Sequence, residues 1–290
     1  MNKAIARERR VAPLPSLLIE PILRAALLED LGRAGDLTTD AIVGVEDRAK
    51  GRIVARQAGR IAGLDAATSA FTLLDANVVV EVCNGDGSDV EAGATLAIVS
   101  GSARALLTGE RTMLNLLGHL CGVATATREL VTKVAGTRAR IACTRKTTPG
   151  LRSLEKYAVR VGGGSSHRYG LDDAALIKDN HVIAAGGLSR AIELVRNSVG
   201  HLVKIEVEVD TLEQLQEVLA MGVDVILLDN MSLDMLREAV AITAGRAVLE
   251  ASGSISAKNV AETARTGVDL ISSGWITHSA PSLDIGLDFD

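Results

Sequence analysis

Basic residues are concentrated in one stretch of the sequence, residues 138–168. This stretch carries eight lysines and arginines and a single acid, Glu155, although the whole chain has a formal net charge of -5. A local excess of this size predicts an anionic ligand, because Lys and Arg bind carboxylates and phosphates through charge-assisted hydrogen bonds. The eight cations are Arg138, Arg140, Arg145, Lys146, Arg152, Lys156, Arg160 and Arg168.

The positions of these cations favour two different interpretations. Arg145 and Lys146 come directly after a predicted strand, residues 140–143. His167 and Arg168 follow a run of three glycines, which lets the backbone approach a ligand closely. These four side chains predict a pocket for several anionic groups. Three others have helical spacing and fit an ordinary solvated helix face: Arg152, Lys156 and Arg160.

A further lysine follows the next predicted strand. Lys178 ends the short apolar run Leu176-Ile177. A surface salt bridge is the ordinary explanation for a lysine at such a position. Two chemical interpretations compete with it, namely a Schiff base with a carbonyl substrate and an electrostatic anchor for a carboxylate or phosphate.

Acidic residues occur on the strands that follow. Glu206, Glu208 and Asp210 alternate with valines, which places the three carboxylates on one side of a strand. Asp229 ends the next apolar run. Buried carboxylates are costly unless they are paired or bound to metal. A pair from neighbouring strands is therefore predicted to hold Mg²⁺ and sugar hydroxyls against a diphosphate.

Small residues follow the last two predicted strands. Ser252-Gly253-Ser254 and Ser273-Gly274 occupy these positions. Their backbone N–H groups suit a phosphate monoester, and the loops after the late strands of a barrel are its usual site.

The elements that carry these residues alternate regularly in the second half of the chain. Apolar runs at 202–209, 223–228, 247–251 and 268–271 begin about 21 to 24 residues apart, with helical patterns between them. Strand–helix repeats of constant length predict parallel strands with right-handed crossovers. We favour a (β/α) barrel over a doubly wound open sheet, because polar residues follow the strands where barrel enzymes place their chemistry. Each helical pattern has a capping residue before it and a glycine after it: Thr211 and Gly222, Ser232 and Gly245, Ser256 and Gly267.

The first part of the chain predicts a smaller α/β unit. Pro21 suits the first position of a helix that ends at Leu31. Turn sequences separate short β-branched runs at 52–55, 78–82 and 95–99, and a helical pattern follows over 102–134. We predict an N-terminal α/β sandwich domain over 1–112 and an incomplete barrel domain over 113–290, with a C-terminal tail that returns to the first domain.

Composition excludes several classes of protein. Aromatic residues make up 2% of the chain and its net charge is negative, which disfavours binding to nucleic acid or to anionic membrane surfaces. No apolar run reaches the roughly 18 residues of a membrane span. The three cysteines lack CxxC spacing, which disfavours a zinc site or a disulfide framework. We therefore expect a cytoplasmic globular protein.

The motifs taken together resemble quinolinate phosphoribosyltransferase, also called carboxylating nicotinate-nucleotide pyrophosphorylase. The resemblance covers nearly the whole chain, in order, and its central motif is long. It is carried by Glu29-Asp-Leu31, Gly35-Asp-Leu-Thr-Thr39, Gly109-Glu-Arg-Thr-Met-Leu-Asn115, Thr144-Arg-Lys-Thr-Thr-Pro-Gly-Leu-Arg152, Glu155-Lys-Tyr-Ala-Val159, Gly162-Gly-Gly-Ser-Ser-His-Arg168, Leu176-Ile-Lys-Asp-Asn-His181, Leu228-Asp-Asn230, Thr277-His-Ser-Ala-Pro281 and Leu283-Asp-Ile-Gly-Leu-Asp288.

The resemblance implies a transferase of NAD biosynthesis, which forms nicotinate mononucleotide, diphosphate and CO₂ from quinolinate and phosphoribosyl pyrophosphate. It also implies a homodimer with a composite active site. Catalytic roles fall on Lys146, Lys178, Glu208 and Asp229. Quinolinate is expected among Arg111, Arg145, His167, Arg168 and Lys178. Phosphoribosyl pyrophosphate is expected at Lys146, Glu208, Asp229, Ser252, Gly253, Ser254 and Gly274, with Mg²⁺ at Glu208 and Asp229. Thr144 and Ser273 complete the expected substrate-binding set.

The sequence departs from the family pattern at three positions. Cys143 stands where an acid is expected, which changes the expected charge of the pocket by one unit. Ser166 replaces an expected Asn, and Trp275 replaces a small residue and narrows the phosphate end. Two alternatives remain: a paralogue of the same fold, linked to metal-oxyanion transport, that binds an anion without this chemistry, and a Schiff-base lyase that uses Lys178.

Overall fold

The computed structural model describes residues 11–289, so the predictions for residues 1–10 and Asp290 lie outside the described residues. The elements of the first part are α1 (Ser16–Leu31), α2 (Leu37–Ile42), β1 (Arg48–Ala55), β2 (Gly59–Arg60), α3 (Leu64–Leu74), β3 (Val79–Val82), β4 (Asp89–Val90), β5 (Thr95–Ser102) and α4 (Ala103–Lys133). Those of the second part are β6 (Arg140–Ala142), α5 (Arg152–Val161), β7 (Ala175–Ile177), α6 (Asp179–Ala185), α7 (Leu188–Ser198), β8 (Ile205–Val209), α8 (Leu212–Ala220), β9 (Val225–Asp229), α9 (Leu233–Thr243), β10 (Val248–Ser252), α10 (Val260–Arg265), β11 (Leu270–Ser272), α11 (Trp275–His278) and β12 (Ile285–Phe289). Within 11–289, no helix is at once long and apolar enough to cross a membrane.

The chain divides into two compact units. Unit 1 contains the chain up to Thr125 together with Ser153–Gly162 and the residues from Pro281 onward, and unit 2 contains Ala126–Arg152 and Gly163–Ala280. The division after Thr125 and the predicted boundary after residue 112 both fall within α4. Because one continuous helix contains both positions, no linker in the sequence marks the change of unit.

Unit 1 is built around an antiparallel sheet with the strand order β12-β1-β5-β3. The centre of the sheet is the pair β1 and β5, whose register runs from Arg48 opposite Ser102 and shifts between Ile53 and Val54. Helices α1 and α3 contribute Leu23 and Phe71 to a fully buried core. Strand β12 pairs with β1 at the edge, so the C-terminal tail belongs to this unit. The predicted α/β character of the N-terminal domain is confirmed.

Unit 2 is built around a parallel sheet with the strand order β6-β11-β10-β9-β8-β7. From β7 to β11 each strand pairs with the next one along the chain, and β11 pairs with β6. The last strand of the parallel sheet, β11, thus pairs with the first, β6, as in a barrel, whereas β6 and β7 form the two edges of the sheet. The order is that of a barrel interrupted between β6 and β7. The predicted incomplete barrel is confirmed.

Local sequence explains where the helices of unit 2 begin and end. The hydroxyls of Thr211 and Ser232 accept the N–H groups of Gln214 and Met235, as expected for N-caps. The closing glycines Gly222, Gly245 and Gly267 all have positive φ, which other residues adopt only with strain. The prediction that Ser256 caps the following helix was wrong. Helix α10 begins after Asn259, and Ser256 lies one turn earlier, where its own N–H donates to the Asn259 side chain.

Two further predictions about helices were wrong. Helix α1 begins at Ser16, so Pro21 lies inside it and removes one hydrogen bond instead of opening the helix. The cations of α5 do not form a solvated face, because Lys156 is fully buried. Most of α5 is buried in unit 1, and its buried residues lie all round the helix, so the helical spacing of its cations does not define an exposed face.

Candidate active site

A cavity of about 840 Å³ opens in unit 2 where the parallel strands end. This volume lies in the range of pockets for small molecules. Because all six strands run in one direction, their carboxyl ends bring together residues that are distant in sequence. The predicted residues that line the cavity are Thr144, Arg145, Lys146, His167, Arg168, Lys178, Glu208, Asp229, Ser252, Gly253, Ser254, Ser273 and Gly274.

Two arginines give the cavity unsatisfied positive charge. The Nε atoms of Arg145 and Arg168 are buried and have no hydrogen-bond partner among the residues that the structure describes. Burial lowers the pKa of Arg168, and the neighbouring guanidinium of Arg145 lowers it further. An arginine nevertheless stays protonated in proteins. The cavity therefore contains buried cationic donors that an anionic ligand would satisfy.

His167 lies between these cations and two buried acids. Its Nδ1 atom accepts the backbone N–H of Arg168 at 2.7 Å. Its Nε2 atom lies 3.0 Å from Oε2 of Glu206 and 3.6 Å from Oε1 of Glu250. Because Nδ1 is an acceptor, the neutral ring carries its proton on Nε2 and directs it toward the carboxylates.

The two acids are buried on β8 and β10. Glu206 is 7% exposed and Glu250 is 1% exposed. Burial raises the pKa of Glu250 to about 7, and the charge on Glu206 acts in the same direction, against smaller opposing effects of His167 and Ser272. Each acid also has a buried Oε1 atom without a hydrogen-bond partner in the described part of the chain.

A second pair of acids lies nearer the rim. Glu208 forms an ion pair with the Lys178 ammonium. Asp229 ends β9 and accepts a hydrogen bond from the Asn230 amide at 2.7 Å. This contact suits a lysine that anchors an anion, whereas a Schiff-base lysine must be neutral to attack.

The loops after β9 and β10 have strained backbone. Asn230, Gly253 and Ser254 all have positive φ. A Cβ atom at Gly253 would lie 2.2 Å from Oδ1 of Asn230, so only glycine fits there. Strain of this kind collects at ligand sites. At the next strand end, a Cβ atom at Gly274 would lie 2.8 Å from Cδ of Lys146, so this glycine leaves room for the lysine side chain.

Family models agree with this arrangement. The model described as "Quinolinate phosphoribosyl transferase, N-terminal domain" matches residues 36–121, and the corresponding C-terminal domain model matches residues 123–288. The chain belongs to the quinolinate phosphoribosyltransferase family.

Individual relatives of this quinolinate phosphoribosyltransferase family extend over the same length. The chain is 48% identical to the nicotinate-nucleotide pyrophosphorylase [carboxylating] of Mycobacterium leprae, covering 92% of this chain and 95% of that protein. It is 45% identical to the probable enzyme of that name from Bacillus subtilis, covering 94% and 93%. The solved structure of the nicotinate-nucleotide pyrophosphorylase from Francisella tularensis superposes with a TM-score of 0.92 at 35% identity, covering 97% of this chain and 99% of that chain.

Some residues singled out in the sequence do not line the cavity of this family member. Arg111 is exposed on α4 in unit 1. Asp210 lies beyond the end of β8, where its N–H donates to Gln214. Cys143 is buried and is not among the lining residues, and its effect on the charge of the pocket stays a prediction. Trp275 does line the cavity.

Sequence reasoning missed Glu250 and His278, which both line the cavity. Glu250 occupies the middle of an apolar run, and a single acid in a buried strand was the signal that could have identified it. His278 lies in the four-residue helix α11, beyond the Ser273-Gly274 turn. A Cβ atom at Gly274 would lie 3.2 Å from the His278 ring. The sequence does not indicate that these two residues are so close.

The family resemblance implies Mg²⁺, and the residues present fit it. Glu208 and Asp229 lie at the ends of the paired strands β8 and β9 and both line the cavity. Carboxylate oxygens are the ligands that Mg²⁺ prefers, with waters and substrate phosphates completing its coordination.

Proposed function

We propose that this chain is a quinolinate phosphoribosyltransferase, a pentosyltransferase of NAD biosynthesis. It would convert quinolinate and phosphoribosyl pyrophosphate to nicotinate mononucleotide, diphosphate and CO₂. One observation carries the proposal. A single cavity contains both arginine donors that lack a hydrogen-bond partner and the two rim acids Glu208 and Asp229. A dicarboxylate suits the first group, and a polyol diphosphate with its metal suits the second.

The cationic side of the cavity would hold quinolinate. Arg145 and Arg168 offer buried Nε donors to its carboxylates, and Lys178 adds a third positive charge. His167 contributes to this side through its position next to Arg168. Fixing both carboxylates orients the ring nitrogen for attack on the anomeric carbon of the sugar, which is positional catalysis.

The other side would hold phosphoribosyl pyrophosphate. The loops 252–254 and 273–274, together with Thr144, supply donors for phosphate oxygens, and Lys146 adds a charge. Glu208 and Asp229 would hold Mg²⁺ and orient the ribose. When bound, Mg²⁺ offsets the charge that develops on the leaving diphosphate. The acids also stabilise the cationic character of the sugar in the oxocarbenium-like transition state.

Two alternative functions are disfavoured by specific contacts. A paralogue that only binds an anion has no use for the acids Glu208 and Asp229 on the rim of its cavity. A Schiff-base lyase requires a neutral lysine, whereas Lys178 is ion-paired with Glu208. Borohydride in the presence of substrate would trap the second alternative.

The decisive experiment supplies both substrates and Mg²⁺ to the purified protein and detects nicotinate mononucleotide. Formation of this product together with CO₂ supports the proposal. Release of diphosphate without a pyridine nucleotide, or no reaction at all, contradicts it. Omission of quinolinate is the control for simple hydrolysis of phosphoribosyl pyrophosphate.

We further propose that the enzyme is a cytoplasmic homodimer. The proposed dimer rests on the composite active site that the family resemblance implies, in which Arg111 would serve the neighbouring subunit's quinolinate. The cysteine spacing supports a reducing compartment.

A further inference from the structure

Glu206 and Glu250 have no part in the chemistry proposed above, although they are buried beside its substrate site. We propose that Glu250 stores the proton that replaces the departing carboxylate on the pyridine ring. This inference rests on the proposed function, because the need for a proton arises from decarboxylation.

Decarboxylation of the pyridine ring consumes one proton. After the glycosidic bond has formed, the bond between ring carbon 2 and its carboxylate breaks, and CO₂ leaves. The electron pair of that bond remains on carbon 2, next to the positively charged ring nitrogen. One proton must then bind carbon 2 to give nicotinate mononucleotide. In our proposal the Glu250 carboxyl group supplies this proton and becomes a carboxylate, which takes up another proton when the next quinolinate binds.

The geometry places Glu250 where it could do this. It lines the cavity together with Arg145, Arg168 and Lys178, while its side chain is 2% exposed. It is separated from bulk water and yet borders the ligand space. The Nε2 atom of His167, 3.6 Å away, lies between Glu250 and Glu206 and is 3.0 Å from the latter. The short contact with Glu206 holds the ring in place, and Glu250 lies just beyond hydrogen-bond distance of the same nitrogen.

The surrounding charges explain why a proton would bind on Glu250 when the substrate arrives. Two buried carboxylates close together cannot both ionise without cost. Burial and the charge on Glu206 already raise the pKa of Glu250 to about 7. The charged groups around the cavity are the cations Arg145, Lys146, Arg168 and Lys178, with Glu208 and Asp229 at the rim. Quinolinate neutralises the cations and adds two negative charges, which raises the affinity of Glu250 for a proton further.

Calorimetry of quinolinate binding tests the proton uptake directly. The binding enthalpy is measured in two buffers of different ionisation enthalpy, Tris and HEPES, over pH 6 to 8. Because Glu250 is largely protonated already at pH 6 and largely ionised at pH 8, uptake should rise from about zero to about one proton per site. Uptake that does not rise over this range would overturn the proposal, whatever the behaviour of any variant.

The variant Glu250→Gln identifies the group responsible. It keeps the size of the side chain but cannot supply this proton, so uptake at pH 8 should fall to near zero. Its kcat for nicotinate mononucleotide should fall about 100-fold, as for loss of a general acid. Without a proton donor the electron pair on carbon 2 recombines with CO₂, so the undecarboxylated mononucleotide should accumulate, and KM for quinolinate should change little. A merely structural role for Glu250 would change KM and kcat together without accumulation of this intermediate.

A matched control is available in unit 1. Glu155 is buried and pairs with Nε2 of His119 at 2.8 Å, outside the cavity. Glu155→Gln should leave proton uptake unchanged, whereas equal loss of uptake in both variants would overturn the assignment to Glu250. Failure of the proposed function is distinguishable, because wild-type protein would then form no nicotinate mononucleotide at all.

Discussion

At the scale of single residues, two arginines with unsatisfied Nε donors are expected to determine which acid the enzyme accepts. Arg145 and Arg168 each keep a buried Nε donor without a partner in the described chain, and arginine side chains are cations in proteins. Nicotinate has one carboxylate fewer than quinolinate and would leave part of this charge uncompensated. We expect kcat/KM with nicotinate to be at least about 1,000-fold lower, because leaving buried polar groups unpaired penalises the smaller analogue strongly. Steady-state kinetics with both acids measure this ratio, and comparable values would contradict the assignment.

A substitution at Asp229 tests the binding of the two substrates separately. Asp229→Asn should weaken binding of phosphoribosyl pyrophosphate with Mg²⁺ by at least about tenfold, because a charge-assisted contact is worth about 1.5–3 kcal/mol. Binding of quinolinate should change far less, because its cations lie on other strands. Calorimetric titration of each ligand measures both effects. Asp234→Asn, at an exposed position in the following helix, is the control, and equal loss of both ligands in Asp229→Asn would indicate a structural role.

The site residues were predictable where a polar side chain ends an apolar run. Lys178 and Asp229 could be found this way, because the carboxyl ends of parallel strands meet at one edge, whereas Glu208 could be found by its alternation with valines. Glu250 carries a weaker signal, a single acid within an apolar run, and its proximity to His167 and Glu206 was not predictable because those residues come from other elements.

At the scale of elements, Asp86 joins two helices of unit 1. Its carboxylate accepts the N–H groups of Gly63 and Leu64 at the start of α3 and the hydroxyl of Tyr157 in α5 at 2.7 Å. Burial and the bond to Asp86 raise the pKa of Tyr157, so its hydroxyl stays a donor at neutral pH.

Asp86→Ala should therefore lower the free energy of unfolding by about 2–4 kcal/mol, since it removes a helix cap and leaves a partly buried hydroxyl unpaired. The midpoint of urea unfolding, followed by circular dichroism, measures the loss. Asp89→Ala removes an exposed carboxylate that pairs with Arg60 and should cost less than about 1 kcal/mol. An equal effect of the two substitutions would show that Asp86 has no special role.

Helix α5 also shows the limit of sequence reasoning about elements. Its existence was predictable from the spacing of its cations, because helical periodicity is a local property. Its membership of unit 1 was not, because it depends on contacts with residues far away in sequence, such as the bond from Arg60 to the carbonyl of Val161 at 2.8 Å. Lys156, within this helix, is fully buried.

At the scale of the whole molecule, the position of Arg111 leads to a test of the composite site. Two inactive variants, Arg111→Ala and Lys178→Ala, are mixed under conditions that let dimers exchange. If Arg111 serves the neighbouring subunit, one pocket of each mixed dimer carries both defects and the other carries neither. Random pairing then restores about a quarter of wild-type activity in a symmetric dimer.

Lack of recovery after exchange has been verified by mass spectrometry would place Arg111 in the site of its own subunit, since every pocket would then keep one defect. Each variant incubated alone under the same conditions is the control, because it reports any residual activity.

The pairing of β12 with β1 has a consequence for the order of events during biosynthesis. Strand β1 lies between β5 and β12, and its pairing with β12 joins Gly51 to Phe289. On the ribosome, residues 48–55 emerge long before 285–289, so one edge of β1 stays without its neighbour while more than two hundred residues are translated. Domains usually fold in the order in which they are made. Here the unit that begins first is completed last, and its open strand edge needs protection from association with other nascent chains throughout that interval.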